Sequence, residues 1–256
     1  MTGRLKRGVR SGGWFLLLAG LFWSAAVPVG AGPAGELEAI RLFDEERLAA
    51  ARPAGPEAAE AAFREVEKRY LDFLERYPRS ADGRNYLGGL YYEHGWPELA
   101  ARQWRLGLLA NPRDPFLYNN LAEYFAHDRG QPARAIFLQE KAVRLKADEP
   151  VFHYNLATYY DVFRFTARRR FGSLERVYES MLRSYRRALA FDPENYDYAL
   201  VYAATLTLSP AAWKIADPVA REEKLAAWRN CRRLAPDEPT RTMIDRQLRR
   251  IELQTP

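Results

Sequence analysis

The sequence predicts an all-α solenoid of antiparallel helix pairs closed by a C-terminal capping helix. Three observations carry that expectation. First, stops of one kind recur: Leu74-Glu-Arg-Tyr-Pro78, Leu108-Leu-Ala-Asn-Pro112, Leu189-Ala-Phe-Asp-Pro193 and Arg233-Leu-Ala-Pro236 each end an amphipathic run. Pro78 and Pro112 are 34 residues apart, and Lys146-Ala147 fills the next slot. Second, each segment between stops holds two helical stripes, with a glycine at the turn between them in the two clearest units. Third, small and large residues alternate on those stripes in a way that lets helix backbones approach.

The segment 82–112 shows the logic. Leu87, Gly88 and Tyr91 share one helical face. Gly95 breaks the run, and Trp96-Pro97 opens a second helix at a position that tolerates proline. Ala100, Trp104 and Gly107 then form one stripe, and Pro112 ends it. Gly88, Ala100 and Gly107 are the close-approach positions, and Tyr91 and Trp104 fill the space beside them.

This unit resembles the tetratricopeptide repeat, a 34-residue helix–turn–helix with the pattern W-x₂-L-G-x₂-Y…A-x₃-F…P. The match reads Arg84-x₂-Leu87-Gly88-x₂-Tyr91…Ala100-x₃-Trp104…Pro112, with Arg84 where an aromatic is usual. The next unit reads Tyr118-x₂-Leu121-Ala122-x₂-Phe125…Ala135-x₃-Gln139-x₂-Ala142…Ala147, with one extra residue near Asp128-Arg-Gly130. A third reads His153-x₂-Leu156-Ala157-x₂-Tyr160 and resumes at Met181-x₃-Tyr185-x₂-Ala188…Pro193. A fourth is degenerate: Ala199, Tyr202, Ala203 and Leu206, then Lys224-x₃-Trp228-x₂-Cys231…Pro236. Upstream, Val66-x₃-Tyr70-x₂-Phe73…Pro78 supplies a second helix, with Glu36–Ala51 as its first. Thr240–Leu253 reads as the capping helix. The repeats span 57–236, with insertions near 162–173 and 209–219; 32–56 holds a linker and the first helix, and 237–256 the cap and tail.

The N-terminus has a different character. Arg4, Lys6, Arg7 and Arg10 precede an apolar run from Trp14 to Val27, and Pro28-Val-Gly-Ala31 follows. That order of charge, apolar core and small residues is the secretory pattern, so 1–31 is expected to be a signal peptide cut before Gly32. An uncleaved membrane anchor is the alternative, because no charge lies between Ser11 and Gly35. The expected setting is periplasmic or secreted. The segment also explains most of the net charge of +6, since without its four cations 35 basic residues face 33 acidic ones. Such a balance gives no specific nucleic-acid footprint.

No catalytic motif of the common kinds occurs, and no enzyme activity, cofactor or metal is expected. The single cysteine, Cys231, excludes an internal disulfide and sits where the repeat wants a small residue. His153 occupies an aromatic position of the repeat, which points to packing.

The resemblance implies a concave groove lined by the first helix of each pair, and a protein or peptide as partner. The repeat frame places Asn85, Gly89 and Tyr92 there, then Asn119, Glu123 and Ala126, then Tyr154, Asn155, Thr158 and Asp161, with Asn120 equivalent to Asn155. Asparagine amides suit an extended peptide backbone, and tyrosine adds a stiff apolar face with a polar tip. The same asparagines could instead cap or bridge helices. From Tyr86 to Asp161 the first helices hold no lysine and only Arg129 near a turn. A clamp for a chaperone's C-terminal carboxylate is therefore not expected. The insertion 162–173 interleaves Arg164, Arg168, Arg169 and Arg170 with Phe163, Phe165 and Phe171. It reads either as an anionic-surface or polyanion site or as an extended helix with arginines outward and phenylalanines inward. Ser209–Pro218 reads as a loop whose Trp213 either makes contacts or tucks onto the scaffold.

Overall fold

The computed structural model describes residues 32–253, so the expected signal segment lies outside the described residues. Among the described residues there are twelve α-helices, one 3₁₀ turn and no strand. Helices α1 (Pro33–Ala51) and α2 (Pro56–Arg76) form the first pair. Then come α3 (Ala81–Glu93) with α4 (Pro97–Ala110), and α5 (Pro115–His127) with α6 (Pro132–Leu145). The third repeat pairs α7 (Pro150–Val162) with α9 (Leu174–Phe191), with α8 (Arg164–Phe171) inserted between them. Helices α10 (Tyr196–Trp213) and α11 (Arg221–Leu234) form the last pair, and α12 (Glu238–Leu253) packs on α11. No helix among the described residues is long and apolar enough to cross a membrane.

The punctuation works as the sequence reading requires. Pro78, Pro112, Pro193 and Pro236 each stand just past a helix end, as does Ala147. Four of the following helices open on a side-chain cap, the last of them α12, where Asp237 Oδ1 accepts from the Thr240 N–H at 2.8 Å. Ser80 Oγ accepts from the Gly83 N–H at 3.0 Å, Asp114 Oδ1 from Phe116 at 2.9 Å, and Asn195 Oδ1 from Tyr198 at 3.1 Å. Within pairs, Gly95 (φ 81°) and Gly130 (φ 58°) adopt the left-handed turn that a side chain would strain. Proline then starts α4 and α6.

The close approaches also fall where expected. At Gly88 an added Cβ would lie inside the Trp104 indole, 2.6 Å from its Cδ1. At Gly107 it would lie 2.8 Å from Leu117 Cδ1. Gly89, by contrast, faces open space. One core runs from Leu37 to Val219 through all the pairs as far as α10. A smaller one joins Ala199, Ala203, Trp228, Cys231, Ile244 and Ile251 at the C-terminal end.

Three boundaries differ from expectation. The first helix begins three residues early, at Pro33, where proline at the first position favours nucleation. The insertion 162–173 is no extension of α7: the chain breaks at Phe163 and forms the separate α8, and Ser173 then caps α9. Ser209–Pro218 is a loop only in its second half. Helix α10 continues through Pro210 to Trp213 and closes on Lys214 at φ 55°. The lost N–H of Pro210 is offset by burial of Trp213, 5.8 Å from the Tyr178 ring, so this indole tucks onto the scaffold.

Candidate functional site

The face formed by α1, α3, α5, α7 and α10 carries the expected groove residues, and its centre is a ladder of amides. Asn120 Nδ2 donates to Asn85 Oδ1 at 2.8 Å, tying α5 to α3. Asn119 Nδ2 donates to Asn120 Oδ1 at 3.2 Å. Asn119 Oδ1 accepts from Asn155 Nδ2 of α7 at 3.0 Å and from Gln139 Nε2 of α6 at 3.1 Å. Gln139 Nε2 also donates to the Phe152 carbonyl at 2.9 Å. Asn119 and Gln139 are buried, whereas Asn85, Asn120 and Asn155 are half-buried. Asn119 is thus a bridge between repeats, and Asn85 and Asn155 form the two ends of the ladder. The repeat frame gave these positions, with bridging as the alternative to groove contact, but not which helices would join through them. The partner Gln139, in a second helix at a position that usually takes an aromatic, was the available signal.

Around the ladder lie tyrosines. The Tyr154 ring stacks on Tyr198 at 4.8 Å and meets Tyr185 edge-on at 5.8 Å. Tyr92 packs against Trp104 at 5.5 Å. Thr158 Oγ1 donates to the Tyr154 carbonyl at 3.0 Å and lies 3.5 Å from the Tyr185 hydroxyl. Burial pushes the Tyr92 hydroxyl well up, helped by the charges of Glu123 and Asp128. Burial likewise raises Tyr154, with Asp197 adding to it. Tyr198 is pushed up to about 12, mainly by burial.

The same face is acidic. Glu123 is raised by burial and then by Asp128 beside it. Asp161 is raised by burial, opposed by the Arg164 charge and by Trp213. Asp44 of α1 is pushed up to about 6 by burial, against the Tyr70 hydroxyl that donates to it at 3.1 Å, and it senses Glu93 and His94. Burial alone raises Asp197. Among the described residues, none of Asp44, Glu93, Glu123, Asp128, Asp161 and Asp197 forms an ion pair. Arg41 reaches this face near Tyr86, but it is engaged by Glu38 at 2.6 Å and by Glu45. Asp44, Tyr198 and Asp197 were not foreseen on this face, because they sit in the first and the degenerate fourth pair, and Tyr185 reads from the sequence only as a packing position of a second helix.

The arginine-rich insertion is divided. Arg170 pairs with Glu140 of α6, which is buried and also accepts from the Tyr160 hydroxyl at 2.9 Å. Arg164 donates to the Asp161 carbonyl at 3.3 Å and lies 5.5 Å over the Trp213 ring. Arg168 and Arg169 are exposed. Phe163 and Phe171 pack onto the core, whereas Phe165 is 62% exposed. His153 is buried, contacts the Ala147 carbonyl at 2.8 Å and stacks on Phe191. Cys231 is fully buried, and burial pushes its thiol up to about 11, so it is not an activated nucleophile.

No family model and no curated protein sequence matches the chain. Solved structures do. The chain is similar to the MamA protein, at TM-score 0.52 and 12% identity over 87% of this chain and 99% of that one. It is similar to PilF of Pseudomonas aeruginosa, at TM-score 0.55 and 15% identity over 86% and 95%. It is also similar to TTC0263, a thermophilic tetratricopeptide-repeat protein of Thermus thermophilus, at TM-score 0.51 and 14% identity over 86% and 100%. Helix pairing, repeat punctuation and these likenesses agree: the chain is an all-α solenoid with the tetratricopeptide-repeat fold.

Proposed function

We propose that this chain is a non-catalytic protein-binding scaffold that holds a peptide or protein segment against its first-helix face. One observation carries the reading. Along α3, α5 and α7 the fold leaves Asn85, Tyr92, Glu123, Tyr154, Asn155, Thr158 and Asp161 half-buried, side by side, with polar capacity to spare. Rigid helices thus present amides and aromatic faces that an extended backbone can use. The order of residues in 1–31 supports export to the envelope or secretion, with an N-terminally anchored form as the alternative.

The exposed Phe165 with Arg168 and Arg169 favours a second reading, attachment to an anionic surface or polyanion. Partner capture from an envelope extract separates the two, using the full chain, a Thr158→Arg chain and an Arg168→Ser/Arg169→Ser chain as baits. Groove binding predicts one protein retained by the first and third baits and lost by the second. Loss on the third bait alone, with elution by salt, would replace the groove reading by the anionic-surface one.

A further inference from the structure

The sign of charge on the two sides of the solenoid is unequal. Helices α4, α6, α9 and α11 carry 14 lysines and arginines. Their first-helix partners α3, α5, α7 and α10 carry one, Arg84, whose Nη1 donates to Gln103 Oε1 of α4 at 2.8 Å. The acids do not follow that segregation: six stay on the first-helix face without an ion pair among the described residues, counting Asp44 of α1, whose own two cations, Arg41 and Arg47, pair with glutamates. We propose that the first-helix face recognises a cationic partner, an extended polypeptide segment presenting lysine or arginine side chains. The inference rests on the groove reading above and names the chemistry of its occupant.

Charge complementarity is joined by two further features of the face. Tyr154 stacked on Tyr198, with Asp197 and Asp161 nearby, pairs an aromatic surface with carboxylates. That combination holds an ammonium or guanidinium group by ring and by charge together. Glu123 is near enough to Tyr92, Tyr159 and Asp128 for their charges to be felt, and among the described residues it makes no hydrogen bond. A desolvated carboxylate without a partner is destabilised in the free protein, so a ligand cation there gains more than it would at an exposed acid. The amide ladder runs along the same face, and its ends at Asn85 and Asn155 retain hydrogen-bonding groups for a backbone. An anionic segment on the same face would meet six carboxylates that stand outside any ion pair among the described residues, which disfavours it as the occupant.

The test is selection of a random dodecapeptide display library on the full chain, followed by binding of the enriched peptides to variants whose folding is checked by thermal melting. The expected result is enrichment of lysine- and arginine-bearing peptides. Their affinity should fall on the order of tenfold or more with Glu123→Gln/Asp161→Asn, and stay unchanged with Glu75→Gln/Glu179→Gln, which removes exposed acids from α2 and α9. Equal losses with both double variants would mean diffuse electrostatics and overturn the inference. Enriched peptides that are neutral or acidic, and that Thr158→Arg displaces, would overturn the cationic occupant while leaving the groove standing. Peptides indifferent to Thr158→Arg, or no enrichment at all, would overturn both.

Discussion

Two adjacent glycines show how differently one residue type is used at the scale of single side chains. Gly88 is compelled by packing, because the Trp104 indole occupies the volume of its missing Cβ. Gly89 touches nothing there and looks out from the first-helix face. The two alanine substitutions should therefore have opposite signs. Gly88→Ala forces apart α3 and α4 and should cost about 1–3 kcal/mol. Gly89→Ala adds no contact and gains helix propensity, so it should stabilise by about 0.5–1 kcal/mol. Urea denaturation of both variants checks the pair. A loss at Gly89 comparable to that at Gly88 would show that the face is covered from within. The Leu-Gly pattern in the sequence already marked Gly88 as a close-approach site. The repeat frame also sets Gly89 on the groove side, apart from Gly88; what it cannot give is how near the Trp104 indole comes to one and how open the space beside the other is.

At the scale of elements, the insertion was legible as an insertion and illegible as a structure. Four arginines and three phenylalanines fit one extended amphipathic helix, yet the backbone breaks at Phe163 and α8 turns away as a short separate piece. What anchors it is a contact no local pattern announces. Arg170 reaches Glu140, thirty residues earlier, and Glu140 is only 8% exposed. Removing Arg170 strands a buried carboxylate whose other partner, the Tyr160 hydroxyl, only partly compensates it. Arg170→Ala should thus destabilise by about 1–2 kcal/mol, since the arginine itself is largely exposed and the pair partly screened. Arg168→Ala and Arg169→Ala should each stay within about 0.5 kcal/mol of the parent. Thermal melts of the three variants at one pH separate them. Equal effects would mean that α8 is held by its phenylalanines alone. The contrast also sorts the notional basic patch: one of its arginines secures the fold, and Arg168 and Arg169 are those left for an external anion.

At the scale of the whole molecule, stability in a solenoid is a chain of neighbour interfaces, and the ends are the weak links. The sequence indicates a cap at the C-terminus through the apolar spacing of its last helix, but the consequence lies in the packing. Helices α10, α11 and α12 share a small core of their own around Trp228 and Cys231, closed by Ile244 and Ile251. The larger core ends at α10 and contains neither α11 nor α12 residues among its buried members. Loss of α12 should consequently loosen the last pair and leave α3 to α9 intact. Cys231, the single cysteine, reports on this directly, since its thiol is wholly buried and pushed up to about 11. In the parent chain, maleimide labelling near neutral pH should be slow and limited by opening of the C-terminal unit. A chain ending at Pro236 should label faster by orders of magnitude, while amide exchange in α5 and α7 stays as slow as before. If exchange in α5 and α7 accelerates along with labelling, the two cores unfold as one, and the amide ladder that links α3, α5 and α7 transmits order through the whole array instead of stabilising its centre alone.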